Sequence, residues 1–164
     1  MSVRTYRYVG PAHILALINE AEPGVLVVSA GVIHTWLRHH EGAATFVVNT
    51  SGDMRIANRR SEHVVCAGGA PVLSAGEVTF VRTAVAGVIA SEITNQSTGY
   101  CPEPESWPAV AAALDRAGID HLNRFTSEFV FRQCPSCGQR NIVKDDWWEC
   151  AVCAAQLPKR WNFG

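Results

Sequence analysis

Thr45-Phe46-Val47-Val48-Asn49 and Met54-Arg55-Ile56-Ala57 are two β-prone runs separated by the polar turn Ser51-Gly52-Asp53. β-Branched and aromatic residues fill the first run, and the second alternates with period two. This pattern predicts a β-hairpin. Further strand signals follow it: Glu62 to Cys66, closed by Gly68-Gly69; Val72 to Val81, in which Gly76 reads as a bulge; and Val85 to Thr94. The expectation is a meander of about five strands.

The flanks of this meander have a different period. Ile14, Leu15, Leu17 and Ile18 are spaced for a helix that Pro23-Gly24 stops, and Val25 to Val28 is a short buried strand or apolar stretch. Gly31 to His40 suits a short helix ending near Gly42. On the far side, Pro102, Pro104 and Pro108 lead into Ala109-Val110-Ala111-Ala112-Ala113-Leu114, a strong helix former with Ser106 as its expected cap and Gly118 as its stop. Ser127 to Gln133 reads as a strand that runs directly into the C-terminal segment.

The chain has 164 residues, 48% hydrophobic and 18% charged, with a formal net charge of −1. That suits one domain, or one domain with a small appendage. It excludes nucleic-acid binding by bulk charge and argues against wholesale disorder. No apolar run is long enough to cross a bilayer, and Met1 to Arg7 opens no leader-like segment, so a cytoplasmic, membrane-free protein is expected.

Four of the six cysteines fall in the C-terminal segment as Cys134-Pro135-Ser136-Cys137 and Cys150-Ala151-Val152-Cys153. A CxxC turn sets two thiolates on one knuckle, and two facing knuckles supply four ligands to a tetrahedral ion. Gly138 suits the positive-φ position after the first knuckle, and Ala154 stands in the equivalent place after the second. Between them Gln139 to Val143 reads as a strand, Lys144-Asp145-Asp146 as a turn and Trp147-Trp148-Glu149 as a returning strand. The segment resembles a zinc ribbon. Four thiolates leave no open coordination position, so the expected Zn2+ is structural and is not a Lewis acid for catalysis. Cys66 and Cys101 read as buried, reduced thiols in a reducing compartment, the alternative being a nucleophile with no activating neighbour in sequence.

Other polar groups are weaker candidates. Glu62 and His63 lie in the dense polar stretch Arg59 to His63, yet adjacent residues of a strand face opposite sides. Asn95 to Pro102, with Ser97 and Tyr100, is a turn-rich loop of the kind that carries sites, or else a turn bonded to its own backbone. Glu62, His63 and Tyr100 are the candidate acid/base or binding residues of an enzyme whose pocket would lie between 59–69 and 95–102. His34, His39 and His40 lack the spacing for a second metal site. Residues 131–164 hold five basic and three acidic residues with Trp147, Trp148 and Trp161. Those aromatics are read first as packing, then as a protein-contact face, then as a platform for single-stranded nucleic acid.

Ala44-Thr45-Phe46-Val47-Val48-Asn49-Thr50-Ser51, Ala67-Gly68-Gly69, Ser74-Ala75-Gly76-Glu77, Ser97-Thr98-Gly99-Tyr100-Cys101-Pro102 and Ala117-Gly118-Ile119-Asp120 occur in that order. Residues 44–121 thereby resemble the C-terminal region of plant IQ-motif calmodulin-binding proteins, which carries Ala-Gly-Gly, Ala-Ala-Gly and Ser-Gly-His-Tyr-x-Pro steps before a helix. Gly99 stands where that motif has His, and Glu62 falls where an ungapped alignment places another. The IQ motif itself is not visible, so the resemblance implies kinship of fold without calmodulin binding or a reaction. The chain as a whole is similar to uncharacterised bacterial proteins that join such a domain to a C-terminal ribbon.

The sequence therefore predicts an α+β domain over 1–126, with a mostly antiparallel sheet and flanking helices, and a zinc ribbon over 127–164 ligated by Cys134, Cys137, Cys150 and Cys153. The expected function is a zinc-binding interaction or adaptor module acting with a protein partner. The alternatives are the enzyme with Glu62, His63 and Tyr100, and nucleic-acid binding through the ribbon.

Overall fold

A computed structural model describes residues 3–164; Met1 and Ser2 of the opening segment lie outside the described residues. Strand β2 (Ala43–Asn49) is central because its residues 44–48 are all buried, which requires cover on both faces. It pairs antiparallel with β3 (Met54–Asn58) on one side and β4 (Val72–Arg82) on the other. β1 (Val25–Leu26), β5 (Val88–Ile93) and β6 (Asp120–His121) complete a six-stranded sheet in the order β1-β3-β2-β4-β5-β6. The β5–β6 pair alone within it is parallel. The protein is α+β, as the sequence predicts.

Alternation along β2 divides the core. Phe46 and Val48 join the cluster on one face, where α2 (Ala30–Trp36) contributes Ile33 and Trp36 and α4 (Trp107–Arg116) contributes Val110, Ala113 and Leu114. Val47 points to the other face, where Tyr6, Val72 and Tyr100 pack with α3 (His63–Cys66) and with side chains around α1 (Ala12–Leu15).

Residues 62–66 are the main departure from the sequence reading, since Glu62 is an extended N-cap and His63–Cys66 form α3 in place of a strand. Val64, Val65 and Cys66 are consecutively buried, which a half-buried strand does not do. Gly68 and Gly69 take positive φ, and their N–H groups bond Val65 O and Val64 O, closing the helix by a Schellman pairing. The strands are consequently not a simple meander. α3 carries the chain across β2, so β3 and β4 lie on its two sides.

Smaller corrections have similar causes. Gly76 sits in register opposite Phe46 rather than at a bulge; the register breaks fall elsewhere, at Leu73 of β4 between the Val48–Ser74 and Asn49–Val72 pairs and at Ser91 of β5 between the Thr79–Glu92 and Phe80–Ala90 pairs. Gly76 is required by close approach: a Cβ there would stand 1.9 Å from Thr94 O. Val25, Leu26 and Val28 are exposed on an edge, leaving Val27 as the buried residue of that stretch. Ser106 makes no side-chain cap; its Oγ bonds Ser74 Oγ at 2.9 Å beneath a 3-10 turn spanning Pro104–Ser106. Gly118 does end α4, at φ 70°.

Candidate metal centre

The C-terminal segment is built on β7 (Val130–Gln133) and β8 (Arg140–Val143), paired antiparallel. The expected return strand at 147–149 is reduced to one bridge, Glu149 to Gln156. Each knuckle is a tight backbone turn. Gly138 N–H donates to Cys134 O and Ala154 N–H to Cys150 O, both at 2.9 Å. Gly138 takes φ 78° and Ala154 φ 62°, so the second knuckle adopts the left-handed turn without glycine.

These turns bring Cys134, Cys137, Cys150 and Cys153 together, with all four sulfurs within 4.8 Å of one another. Cys134 Sγ lies 3.5 Å from Cys153 Sγ, and Cys137 Sγ 3.6 Å from Cys150 Sγ. Disulfide bonds are about 2 Å long, whereas a tetrahedral ion with metal–sulfur bonds of about 2.3 Å places its ligands about 3.8 Å apart. The spacing suits a shared metal ion and not a pair of disulfides. Among the described residues no other group of metal-ligating side chains converges in this way.

The surrounding backbone is arranged for negative sulfur. Cys137 N–H donates to Cys134 Sγ and Val152 N–H to Cys150 Sγ, each at 3.4 Å. Asn141, buried on β8, donates from Nδ2 to Cys150 Sγ at 3.4 Å and accepts from Ala151 N–H at 2.9 Å. Burial opposes ionisation of Cys150, but the Cys153 and Val152 amides and Asn141 outweigh it and bring its pKa down to about 6. The Cys137 amide likewise lowers Cys134. At Cys137 the Gln139 backbone favours the thiolate, yet burial and the three neighbouring sulfurs prevail and raise it to about 12. Four sulfurs this close hold all their charge only when a cation shares the space.

The apolar support is small. Leu157 is the buried aliphatic residue packed with Cys134 and Cys150, and Val143, Trp148 and Ala155 lie at its margin. Polar ties bind the segment to the main sheet. Asn95 Nδ2 donates to Pro102 O at 2.9 Å and Phe129 O at 2.7 Å, while its Oδ1 accepts from Phe129 N–H at 2.7 Å. Arg132 on β7 meets Glu103 at 2.8 Å in a buried ion pair. Trp161 packs edge-on against Tyr6, with ring centroids 5.5 Å apart, and donates to Cys101 O at 2.7 Å. Asn95, Asn141 and the Arg132–Glu103 pair are not marked in the sequence, because each is defined by a partner distant along the chain.

Of the other candidates, Tyr100 and His63 are hydrogen-bonded to the backbone. Tyr100 is buried, and its hydroxyl donates to Ala70 O at 2.8 Å. His63 is partly buried with Nε2 2.9 Å from Gly76 O, and Glu62 is exposed before α3. The loop holding Ser97 is a bonded turn: Ser97 O accepts from Cys101 N–H at 2.7 Å and its Oγ from Tyr100 N–H at 3.3 Å. A groove of about 930 Å³ lies along α4, lined by Arg4, Tyr6, Leu73, Ser106, Ala109 and Arg116 among others. Cys66 and Cys101 are buried free thiols that burial pushes up to about 12, away from the thiolate form. His34 bonds Ala86 O at 2.9 Å, and His40 stacks on Trp36 at 3.7 Å.

No protein-family model, curated protein or solved structure matches the chain. No helix among the described residues is long and apolar enough to cross a membrane.

Proposed function

We propose that the four-cysteine cage is a structural zinc site and that the ribbon it folds is a protein-interaction module set on the α+β domain. The carrying observation is the sulfur tetrad at tetrahedral spacing with N–H donors aimed at its sulfurs. Cys134, Cys137, Cys150 and Cys153 would hold the ion. Zinc would supply four bonds that fix two knuckles and would leave no position for substrate. A cluster with so little buried aliphatic surface needs that binding energy to fold. The resemblance of residues 44–121 to the C-terminal region of plant IQ-motif proteins belongs to this proposal as kinship of the sheet domain.

An interaction role is supported by how the ribbon is presented. Its inner side is fixed by Arg132, Trp161 and Asn95, while Trp147 and Val152 stay exposed on its outer side. Exposed tryptophan on a rigid support is typical of protein-binding surfaces. The test is metal analysis of chain purified without added metal, beside Cys150→Ala. One zinc per chain, lost in the variant, is the expected result. Iron in its place, or no metal at all, would refute the zinc assignment.

A further inference from the structure

The ribbon carries a small cavity of about 340 Å³ lined by Asp146, Trp147, Trp148, Glu149, Gln156 and Lys159 among others. Two tryptophans and two acidic residues along one hollow form an environment for a cation. The chain already places a cation of its own there. Lys159 Nζ lies 3.9 Å from the Trp148 ring centroid and 4.0 Å from Asp146 Oδ1. Trp148 is held for this contact, since its Nε1–H donates to Asp146 Oδ1. Arg132 also approaches the Trp148 ring, at 5.6 Å, but it is buried and committed to Glu103, Phe131 O and Lys159 O. Lys159 is different: its side chain is 65% exposed, so its ammonium leaves the site at little cost. Trp147, 66% exposed, also lines the hollow, as does the acidic residue Glu149.

We propose that this hollow is a recognition site for the ammonium group of a lysine-type side chain from a partner protein, and that Lys159 is its exchangeable internal occupant. The inference rests on the interaction-module reading and gives it a docking site and a partner chemistry. Charge complementarity selects the occupant. With Lys159 displaced, Asp146 and Glu149 leave the hollow negative, and the indole faces favour a cation over a neutral chain. An anionic strand of nucleic acid would be repelled by the same two carboxylates.

The test uses the metal-loaded full chain, with the indole N–H resonances of Trp147 and Trp148 followed by NMR. The probes are N-acetyl-lysine amide and its uncharged analogue N-acetyl-norleucine amide. Saturable shifts of both indoles with the lysine probe, and none with norleucine, are expected. Lys159→Ala should bind the lysine probe about two- to fivefold tighter, and Trp147→Ala correspondingly weaker. Equal shifts with norleucine would overturn the inference, as would no saturable shift in either wild type or Lys159→Ala. If zinc is bound when this happens, only the docking site falls. A chain without zinc would overturn the structural-zinc reading and this inference together.

Discussion

At the scale of single residues, backbone geometry decides most outcomes. Gly76 is the sharpest case, because any Cβ would collide with Thr94 O and with its carbonyl carbon at 2.7 Å, and neither atom belongs to a movable side chain. Gly76→Ala should cost about 3 kcal/mol or more, read as a lower urea midpoint. Ala154 offers the reverse experiment. It takes φ 62° where Gly138 takes 78°, so Ala154→Gly should stabilise the metal-loaded chain by about 1 kcal/mol in thermal unfolding. His63 gives a pH dependence. A carbonyl only accepts, so Nε2 carries the proton toward Gly76 O. Burial lowers the ring's pKa below 6.5, more than the Gly76 bond raises it. The native state then binds fewer protons than the unfolded chain. His63 thus contributes stability that is complete above pH 6.5 and lost as pH falls through the lowered native value. His63→Gln keeps a donor without titrating, so its urea midpoint should decline less than that of wild type between about pH 7 and pH 5. An identical decline in both would contradict this assignment.

At the scale of elements, the joints between ribbon and sheet carry the risk. Asn95 serves three backbone groups from a fully buried position. Asn95→Ala should cost about 3 kcal/mol by chemical denaturation, because three backbone groups at the buried or half-buried joint lose their partner at once. Glu103→Ala strands the buried Arg132 guanidinium, and a loss of about 3–5 kcal/mol is expected from the same measurement. Sequence reading served the elements unevenly for the same reason. The hairpin of β2 and β3, the end of α4 at Gly118 and the two knuckles were legible because local spacing determines them. α3 was not: Val64-Val65-Cys66 suits a strand or a buried helix turn equally, and the choice is made by packing on β2. Strand pairing is nonlocal, so β7 and not the 147–149 segment lies beside β8. Ser106 stands at a sequence position that fits a cap, but Ser74 takes its hydroxyl.

At the scale of the whole molecule, two structures of unequal self-sufficiency are joined. The six-stranded sheet has apolar cover on both faces, whereas the ribbon cluster has chiefly Leu157 besides its buried cysteines. Removing the metal with a chelator should therefore release the ribbon and spare the sheet. Hydrogen exchange should show amides of β7 and β8 losing protection while those of β2 and β4 keep it. Simultaneous loss in both would mean that the sheet also depends on the cage. The convergence of Cys134, Cys137, Cys150 and Cys153 is legible directly in the sequence, since two CxxC pairs specify chemistry and local geometry together. Their hydrogen-bonded surroundings are not, because Asn141 acquires its role only when β8 lies beside the second knuckle. The central claim is a closed cage of four sulfurs around one zinc ion, and zinc-edge X-ray absorption of the purified chain tests it most directly. Four sulfur neighbours at about 2.3 Å, with no oxygen or nitrogen in the shell, is the result expected. A coordination shell containing a water oxygen, or a chain without zinc whose four thiols are paired as disulfides, would contradict it.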